Sequence, residues 1–322
     1  MDIVSVLVCT RNRPESLART VRSLLASETK SLELIVIDQS DPDVFERALT
    51  AFKSDPRLRH VASRARGKGA ALNEGMRLAR ASIVVCTDDD CVAQPEWAGA
   101  MARALAEQPT AGVLFCSVTA AECDWSAGYT PAYEIQRSRL LHSLFATCLG
   151  HGMGAGMAVR RDALLAIGGF DEEVGPGARF PSGDDWDLEH RMLLEGWGVF
   201  EAADLSIVHH GFRTLEEGRA HAHRDWLAIG AVCAKPIRAG HLRALALPVW
   251  YFSVHALWPP LHDILRLRRP RGLSRIAGFV DGFSQGLRTP VDRARLLFEP
   301  AAQAPMPAER IETQSADKAT RR

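Results

Sequence analysis

The chain opens as a repeating unit: a short uninterrupted apolar run, a polar break, then apolar residues at helical spacing. Val4–Cys9 is such a run, and behind it Pro14 can open a helix carrying Leu17, Val21, Leu24 and Leu25 on one face. Leu32–Ile37 is a second strand, closing on Asp38-Gln39-Ser40-Asp41-Pro42, and a helix pattern runs from Val44 to Phe52. Leu58–Val61 is a short third strand after the Asp55-Pro56 turn, and Ala70–Ala81 is a helix with Leu72, Met76 and Ala79 on one face. Ile83–Thr87 is the next run, and it stops abruptly on Asp88-Asp89-Asp90. Strands of this kind alternating with helices imply right-handed crossovers, a parallel sheet, and a ligand crevice beyond the carboxyl ends of the strands.

The second part is less regular. Pro95 can start a helix through Trp97, Met101 and Leu105, Gly112–Val118 is a further strand, and from Thr119 to Gly150 the pattern reads as mixed helix and loop. His151-Gly152-Met153-Gly154-Ala155-Gly156 is dense in glycine, which permits close approach of the backbone to a ligand. Met157-Ala158-Val159 leads into a short helix from Arg160-Arg161 that ends at Gly168-Gly169. A glycine- and proline-rich segment, Gly175 to Gly183, then delivers Asp184-Asp185-Trp186 to the start of a helix carrying Leu188, Met192 and Leu193. Leu205–Val208 is one more strand, ending on His209-His210. From His221 the composition turns helical. Leu245–Leu261 is apolar and aromatic but interrupted by Pro248, His255 and Pro259-Pro260, so it falls short of a membrane-spanning run. Arg266, Arg268, Arg269, Arg271 and Arg275 follow it, which suits an interfacial or partner-facing helix. A buried core helix with a solvated basic flank is the competing reading.

Composition narrows the function classes. The chain's 322 residues suffice for one large α/β unit or two packed lobes. With 39 Lys and Arg against 39 Asp and Glu, it lacks the basic excess of a nucleic-acid binder. None of the seven cysteines forms a C-x-x-C pair and several lie in apolar runs, as expected of reduced, buried thiols in a cytosolic protein. The strand-like run so near Met1 leaves no room for a signal peptide, and the catalytic part is expected to face the cytoplasm.

Candidate chemistry begins with the acids. Three adjacent carboxylates raise one another's pKa unless a cation sits among them, so Asp88-Asp89-Asp90 at a strand end calls for a hard divalent metal. A solvated turn or helix cap is the competing explanation.

The order of the remaining motifs decides between these. Val4 to Arg13, Glu33-Leu34-Ile35-Val36-Ile37-Asp38, Gly67 with Asn73 and Gly75, and Asp88 to Asp90 together resemble the nucleotide-sugar half of family 2 glycosyltransferases, the inverting enzymes of GT-A fold. Gly156 to Arg161, Ile167-Gly168-Gly169-Phe170-Asp171, Gly183 to Leu188 and Val208-His209 resemble that family's acceptor-side motifs in their usual sequence. The resemblance runs from Val4 to His210. It implies an α/β fold of GT-A type, a mostly parallel open sheet flanked by helices, with a helical C-terminal extension. It divides the chain into a catalytic domain over 1–215 (nucleotide-sugar half 1–110, acceptor half 111–215), a helical region over 216–298 and a disordered tail over 299–322.

Residue by residue, the resemblance places Thr10 and Arg11 in the nucleotide pocket and Asp38 on the nucleobase or ribose, with Gly67, Lys68 and Asn73 on the donor side. For Asp38 an Asx-turn before Pro42 is the competing reading. Asp88 and Asp90 are implied as the D-x-D element that holds Mn2+ or Mg2+ against the donor diphosphate, with Asp89 on the donor ribose or sugar. His209 is implied as a further metal ligand, with His210 as the fallback. Asp185 matches the general base and Asp184 the neighbour that keeps its basicity useful; a plain helix N-cap with Glu189 nearby competes. Trp186 stacks on an acceptor sugar or packs in the core.

The expectation is an inverting, metal-dependent transfer of a sugar from a UDP-, dTDP- or GDP-sugar to a hydroxyl acceptor, lipid-linked acceptors included. The protein is then cytoplasmic, with peripheral contact at the inner face of the plasma membrane as a separate expectation. A sugar-phosphate nucleotidyltransferase and a non-catalytic sugar-nucleotide-binding scaffold at the membrane are the alternatives.

Overall fold

A computed structural model describes residues 3–149 and 152–300. His151 of the glycine-dense segment, and residues 301–322 of the expected tail, lie outside the described residues. The repeating units become β1 (Val4–Thr10), α1 (Pro14–Leu25), β2 (Leu32–Asp38), α2 (Pro42–Ala48), β3 (Leu58–Ala62), α3 (Lys68–Leu78) and β4 (Ile83–Asp88). β5 (Cys91–Val92), α4 (Trp97–Ala106), β6 (Ala111–Ala120), β7 (Gly128–Tyr129), β8 (Arg139–Leu141), β9 (Met157–Arg160), α5 (Arg161–Ala166), α6 (Asp184–Leu194) and β10 (Gly198–His209) follow.

Among the described residues nine strands form one sheet in the order β3-β2-β1-β4-β9-β6-β10-β5, with β8 also against β10. β1 pairs in parallel with β2 on one side and β4 on the other, and β6 pairs in parallel with β10. β9 runs antiparallel between β4 and β6. Chain order reverses between β1 and β4, so their carboxyl ends, Thr10 and Asp88, flank the crevice such a switch point creates. Apolar layers cover both faces of the sheet, which is why β1 and β2 read as nearly continuous apolar runs.

Two glycines set the geometry beside the crevice. Gly67 caps α3 at φ 90°, a left-handed conformation open to glycine. Gly75 brings α3 against β1 so closely that a Cβ there would lie 2.2 Å from Leu7 Cδ1.

Several expectations change. The Thr119–Gly150 stretch holds no α-helix among the described residues: it contains the end of β6, the short β7 and β8, and a 3-10 turn over Leu144–Leu149. The strand expected over Leu205–Val208 starts at Gly198, because Glu201, which breaks the apolar pattern, is buried in it and accepts from Arg139 of β8. The C-terminal helices begin earlier, at α7 (Leu215–Ala239), where Thr214 and Glu217 form a capping box. The Leu245–Leu261 stretch lies within a run made of a 3-10 turn (Leu242–Leu245), α8 (Ala246–Trp250), a wider π-type turn (Tyr251–Leu257) and α9 (Trp258–Leu265). α10 (Leu273–Arg288) packs along α7, its Gly278 and Gly282 facing backbone atoms of His223 and Leu227.

Candidate active site

A polar cavity of about 560 Å3 opens at the carboxyl ends of β1 and β4. Thr10, Arg11 and Arg13 line it from the β1 end, Asp88, Asp89 and Asp90 from the β4 end, and Gly67 and Lys68 from the start of α3. Pro176, Gly177, Pro181 and Ser182 of the glycine- and proline-rich segment form another wall. His209 enters from the end of β10.

The three acids point to three different partners. Asp88 Oδ1 lies 2.6 Å from Lys68 Nζ. Asp89 accepts from the Thr10 hydroxyl at 2.6 Å and from Arg13 at 2.6 Å. Asp90 takes the second arm of Arg13 at 3.0 Å and meets His209 Nε2 at 3.2 Å. Burial pushes Asp89 up to about 6 despite Thr10 and Arg13. Burial also acts on Asp90, but the hydrogen bonds and charges of His209 and Arg13 outweigh it and bring that carboxyl down to about 2.

His209 Nδ1 lies 2.7 Å from the Pro131 carbonyl, a bond only an Nδ1–H can make, so Nε2 is the nitrogen turned to Asp90. Burial opposes a charge on His209, but Asp90 raises its pKa, so Nε2 carries a proton toward the carboxylate; with that proton lost, the buried carboxylate and Nε2 are a donor set that suits a divalent cation. Asp90 and His209 therefore fit the expected metal. The full trio does not converge: Asp88 is drawn to Lys68, and among the described residues no group of three or more His, Cys, Asp or Glu is arranged to hold an ion. The ring of His210, the fallback, lies 3.4 Å from Arg19 Nη1, while its backbone N donates to the Asp90 carbonyl at 2.8 Å.

Lys68 joins the end of β4 to the start of α6. Its ammonium is also 3.5 Å from Asp184 Oδ2 at the start of α6. Burial opposes its charge, but Asp184 and Asp88 hold its pKa well above the lysine range. Gly183, at φ 78°, is the N-cap of α6 and no side chain caps the helix, so Asp185 sits in the first turn instead of performing the N-cap. Its Oδ2 accepts from Gly154 N at 3.0 Å and its Oδ1 from Trp186 N at 2.9 Å. Burial, then the Asp184 charge, lifts Asp185 to about 6 against the opposing effect of Lys68 and the two N–H groups. A carboxyl at a helix N-terminus with that pKa is poised to accept a proton near neutral pH.

Two expected donor-side residues lie elsewhere. Asp38 is buried, its Oδ2 2.9 Å from His60 Nε2 and its Oδ1 accepting from Ser40 N at 2.8 Å, so the Asx-turn forms and Gln39 lines the cavity instead. Asn73 is also buried: it donates to the Phe170 carbonyl at 2.9 Å and to Glu172 at 3.0 Å, and accepts from Phe170 N at 2.8 Å. It locks the turn after α5 and does not line the cavity. Trp186 packs on Tyr251, ring centroids 4.7 Å apart, the core alternative of its two readings.

The far wall was not anticipated. Glu217, His221, Arg224 and Asp225, at helical spacing on α7, line the cavity opposite the acids, so the wall crosses the boundary expected at 215. That spacing is visible in the sequence, but only the fold brings it opposite acids about 130 positions earlier. Arg13 was likewise passed over; as the clamp on Asp89 and Asp90 it shapes the acid cluster.

A switch-point crevice ringed by acids, with a raised carboxyl at a nearby helix start, marks an α/β protein of GT-A architecture. The family model for glycosyl transferase family 2 matches residues 5–168, just over half of the 322-residue chain, and the chain belongs to that family. It is 28% identical over 182 residues to the glucosyl-dolichyl phosphate glucuronosyltransferase of Haloferax volcanii, covering 53% of this chain and 57% of that relative. It is 24% identical over 207 residues to the beta-monoglucosyldiacylglycerol synthase of Trichormus variabilis, covering 62% of this chain and 43% of the relative. The matches thus span about half the length of these curated relatives. The fold matches a mannosyltransferase of Pyrobaculum calidifontis solved with GDP-Man and Mn2+, at TM-score 0.60 and 20% identity over 88% of this chain and 86% of that one. It also matches S. aureus TarS solved with UDP-GlcNAc, at TM-score 0.55 and 13% identity over 89% and 91%.

Proposed function

We propose that this protein is an inverting glycosyltransferase that moves a sugar from a nucleoside-diphosphate sugar to an acceptor hydroxyl by single displacement. One observation carries the reading: a carboxyl lifted to about 6, Asp185, stands beside the same lysine that holds the donor-side acid Asp88. Asp185 takes the acceptor hydroxyl proton as that oxygen attacks the anomeric carbon; the bond from that carbon to the diphosphate oxygen breaks, and the nucleoside diphosphate leaves with the bonding pair. Asp184 keeps Asp185 basic by like-charge repulsion. Thr10, Arg11 and Gly67 shape the nucleotide end of the cavity, and Asp89, held by Thr10 and Arg13, faces the donor. Lys68 is the cation nearest the expected path of the diphosphate.

Asp90 and His209, joined by Asp88 once Lys68 releases it, are the residues that would hold Mn2+ or Mg2+. Such an ion supplies Lewis-acid neutralisation of the departing diphosphate. The solved structural neighbours that carry GDP-Man and UDP-GlcNAc support a GDP- or UDP-sugar donor, with a dTDP-sugar as the remaining candidate. The names of the curated relatives support a lipid-linked or glycan acceptor, and on this reading it is presented at the cytoplasmic face of a membrane. On this reading 1–215 supplies most of the catalytic unit and 216–298 the helical region behind it.

A panel of UDP-, GDP- and dTDP-sugars with and without Mn2+ tests the proposal by thermal shift and by release of nucleoside diphosphate, since ligand binding raises apparent stability by mass action. A stabilising donor whose turnover yields nucleoside diphosphate and a product of inverted anomeric configuration is the expected result. Release of pyrophosphate from a nucleoside triphosphate and a sugar phosphate would instead identify a nucleotidyltransferase.

A further inference from the structure

The helical run 242–265 is apolar on its outward face as well as on its buried one. Ala244, Leu247 and Tyr251 are buried in a cluster that also holds Cys233 of α7 and Phe279 of α10, and Ala256 is buried as well. The face turned outward is apolar as well: Leu242, Val249, Trp250, Trp258, Leu261 and Leu265 each expose 40% or more of their surface. An apolar groove of about 610 Å3 beside Val249, bordered by Phe252, Val280, Phe283 and Leu287, continues this surface onto α10. A helical run apolar on both its buried and its exposed face is not at home in water.

Charge around the stripe selects its partner. The sequence contains no Asp or Glu between Asp225 and Asp263, while Arg238 and Arg243 fall inside that interval. Arg266, Arg268 and Arg269 stand exposed immediately beyond α9, and among the described residues none of them is ion-paired with a carboxylate. Arg271 pairs with Asp263 at 3.0 Å and folds this basic turn back against the end of α9. A second copy of the chain docking face to face would bring the same arginines toward one another, which opposes a dimer. No helix among the described residues is long and apolar enough to cross a membrane.

We infer that the outward face of 242–265, with the groove on α10, docks in the plane of an anionic lipid surface, apolar side chains entering the acyl boundary and Arg266, Arg268 and Arg269 meeting the headgroups. The docking gives residue-level form to the membrane-face presentation of the acceptor within the proposed function, and rests on that reading only for its purpose. α7 lines the cavity with its first turns and packs against the 242–245 turn and α10 farther along, so stripe and cavity belong to one helical unit.

The test is co-sedimentation of the full chain with vesicles of phosphatidylcholine, alone and mixed with phosphatidylglycerol, with tryptophan emission as the second readout. No nucleotide sugar is present, so the outcome is independent of the transfer chemistry. Expected are binding to the anionic vesicles, a blue shift from Trp250 and Trp258, and weakening by salt. The triple variant R266Q/R268Q/R269Q should lose on the order of 100-fold in affinity for anionic vesicles, and W258S/L261S should weaken binding while keeping the preference for anionic lipid. All substituted side chains are exposed, and an unchanged thermal transition certifies the fold. Absence of binding to either vesicle overturns the inference, as does a triple variant that binds like the unmodified chain. Equally fatal is a W258S/L261S variant that shifts a monomer–dimer equilibrium in light scattering without changing vesicle binding, which would assign the face to a second copy.

Discussion

Lys235 of α7 is a residue whose replacement should be felt both in stability and at the acceptor-side helix. Its ammonium is 1% exposed, donates to Asp171 at 2.5 Å and to Asp187, and lies 4.6 Å from the centre of the Phe298 ring. Asp171 Oδ2 also accepts from Phe298 N at 2.8 Å, and Arg191 reaches Asp187 at 3.5 Å. Lys235→Met preserves the stem but strands two carboxylates, one of them with only a long contact to Arg191. Breaking a buried pair by removing one partner costs about 3–5 kcal/mol, a fall in Tm of about 4–7 °C for a chain of this size. In the variant Asp187, already raised by burial, loses the lowering charge of Lys235, so its folded-state pKa lies above the unfolded one and stability is lost as pH rises through that value. The deficit against the unmodified protein should therefore narrow toward low pH. Urea unfolding across pH measures this, with Lys235→Met/Asp187→Asn as the double variant that recovers part of the loss. Asp187 lies two residues beyond Asp185 on α6, so the same substitution should also lower turnover. A loss below about 1 kcal/mol, the range of an exposed pair, or a deficit that widens as pH falls, would refute the buried-network argument.

Asp185→Asn should lower kcat by about 10^2–10^4-fold with KM little changed, because a base acts on the transition state and not on binding; steady-state kinetics decide this. A base lifted to about 6 must be ionised to work, so kcat/KM should climb as pH rises through that value and then level off. Asp90→Asn or His209→Ala should weaken Mn2+ binding by at least about 100-fold, read by calorimetric titration, and a chelator should remove the stabilisation that Mn2+ gives in a thermal scan.

How far the sequence foretells this molecule depends on where partners lie along the chain. β1, β2 and β4 read as strands because each is buried on both faces, so apolarity alone marks them. β10 was foreshortened because burial of Glu201 depends on Arg139 of another strand, a pairing no local pattern reveals. At the site, residues at strand ends were legible: Thr10 and Asp88 to Asp90 stop apolar runs, and a parallel sheet gathers such stops at one edge. Asp38 also stops a run, yet His60 and Ser40 N engage its carboxylate and Gln39 faces the cavity. Asn73 lies ninety-seven positions from Phe170, whose N–H and C=O it binds, so its structural role is invisible without the fold. The α7 wall is hidden for the same reason.

Lys68 offers the sharpest test of how the two sides of the site are joined, because one ammonium faces Asp88 and Asp184 and acts on Asp185 as well. Its charge lowers the Asp185 pKa, while burial and Asp184 raise it. In Lys68→Met the lowering contribution disappears and the repulsion stays, so Asp185 should titrate at higher pH. The sign follows for catalysis: the base must be ionised, so the rising limb of kcat/KM moves to higher pH and the loss of activity is larger on the acid side than on the alkaline side. A lysine that only bound diphosphate would lower kcat/KM by one factor at every pH and leave the limb in place. Lys68→Arg keeps the charge and should restore the limb even where geometry costs rate. If the limb stays put in Lys68→Met, the acid that Lys68 neutralises is not the base, and the assignment of Asp185 falls with it.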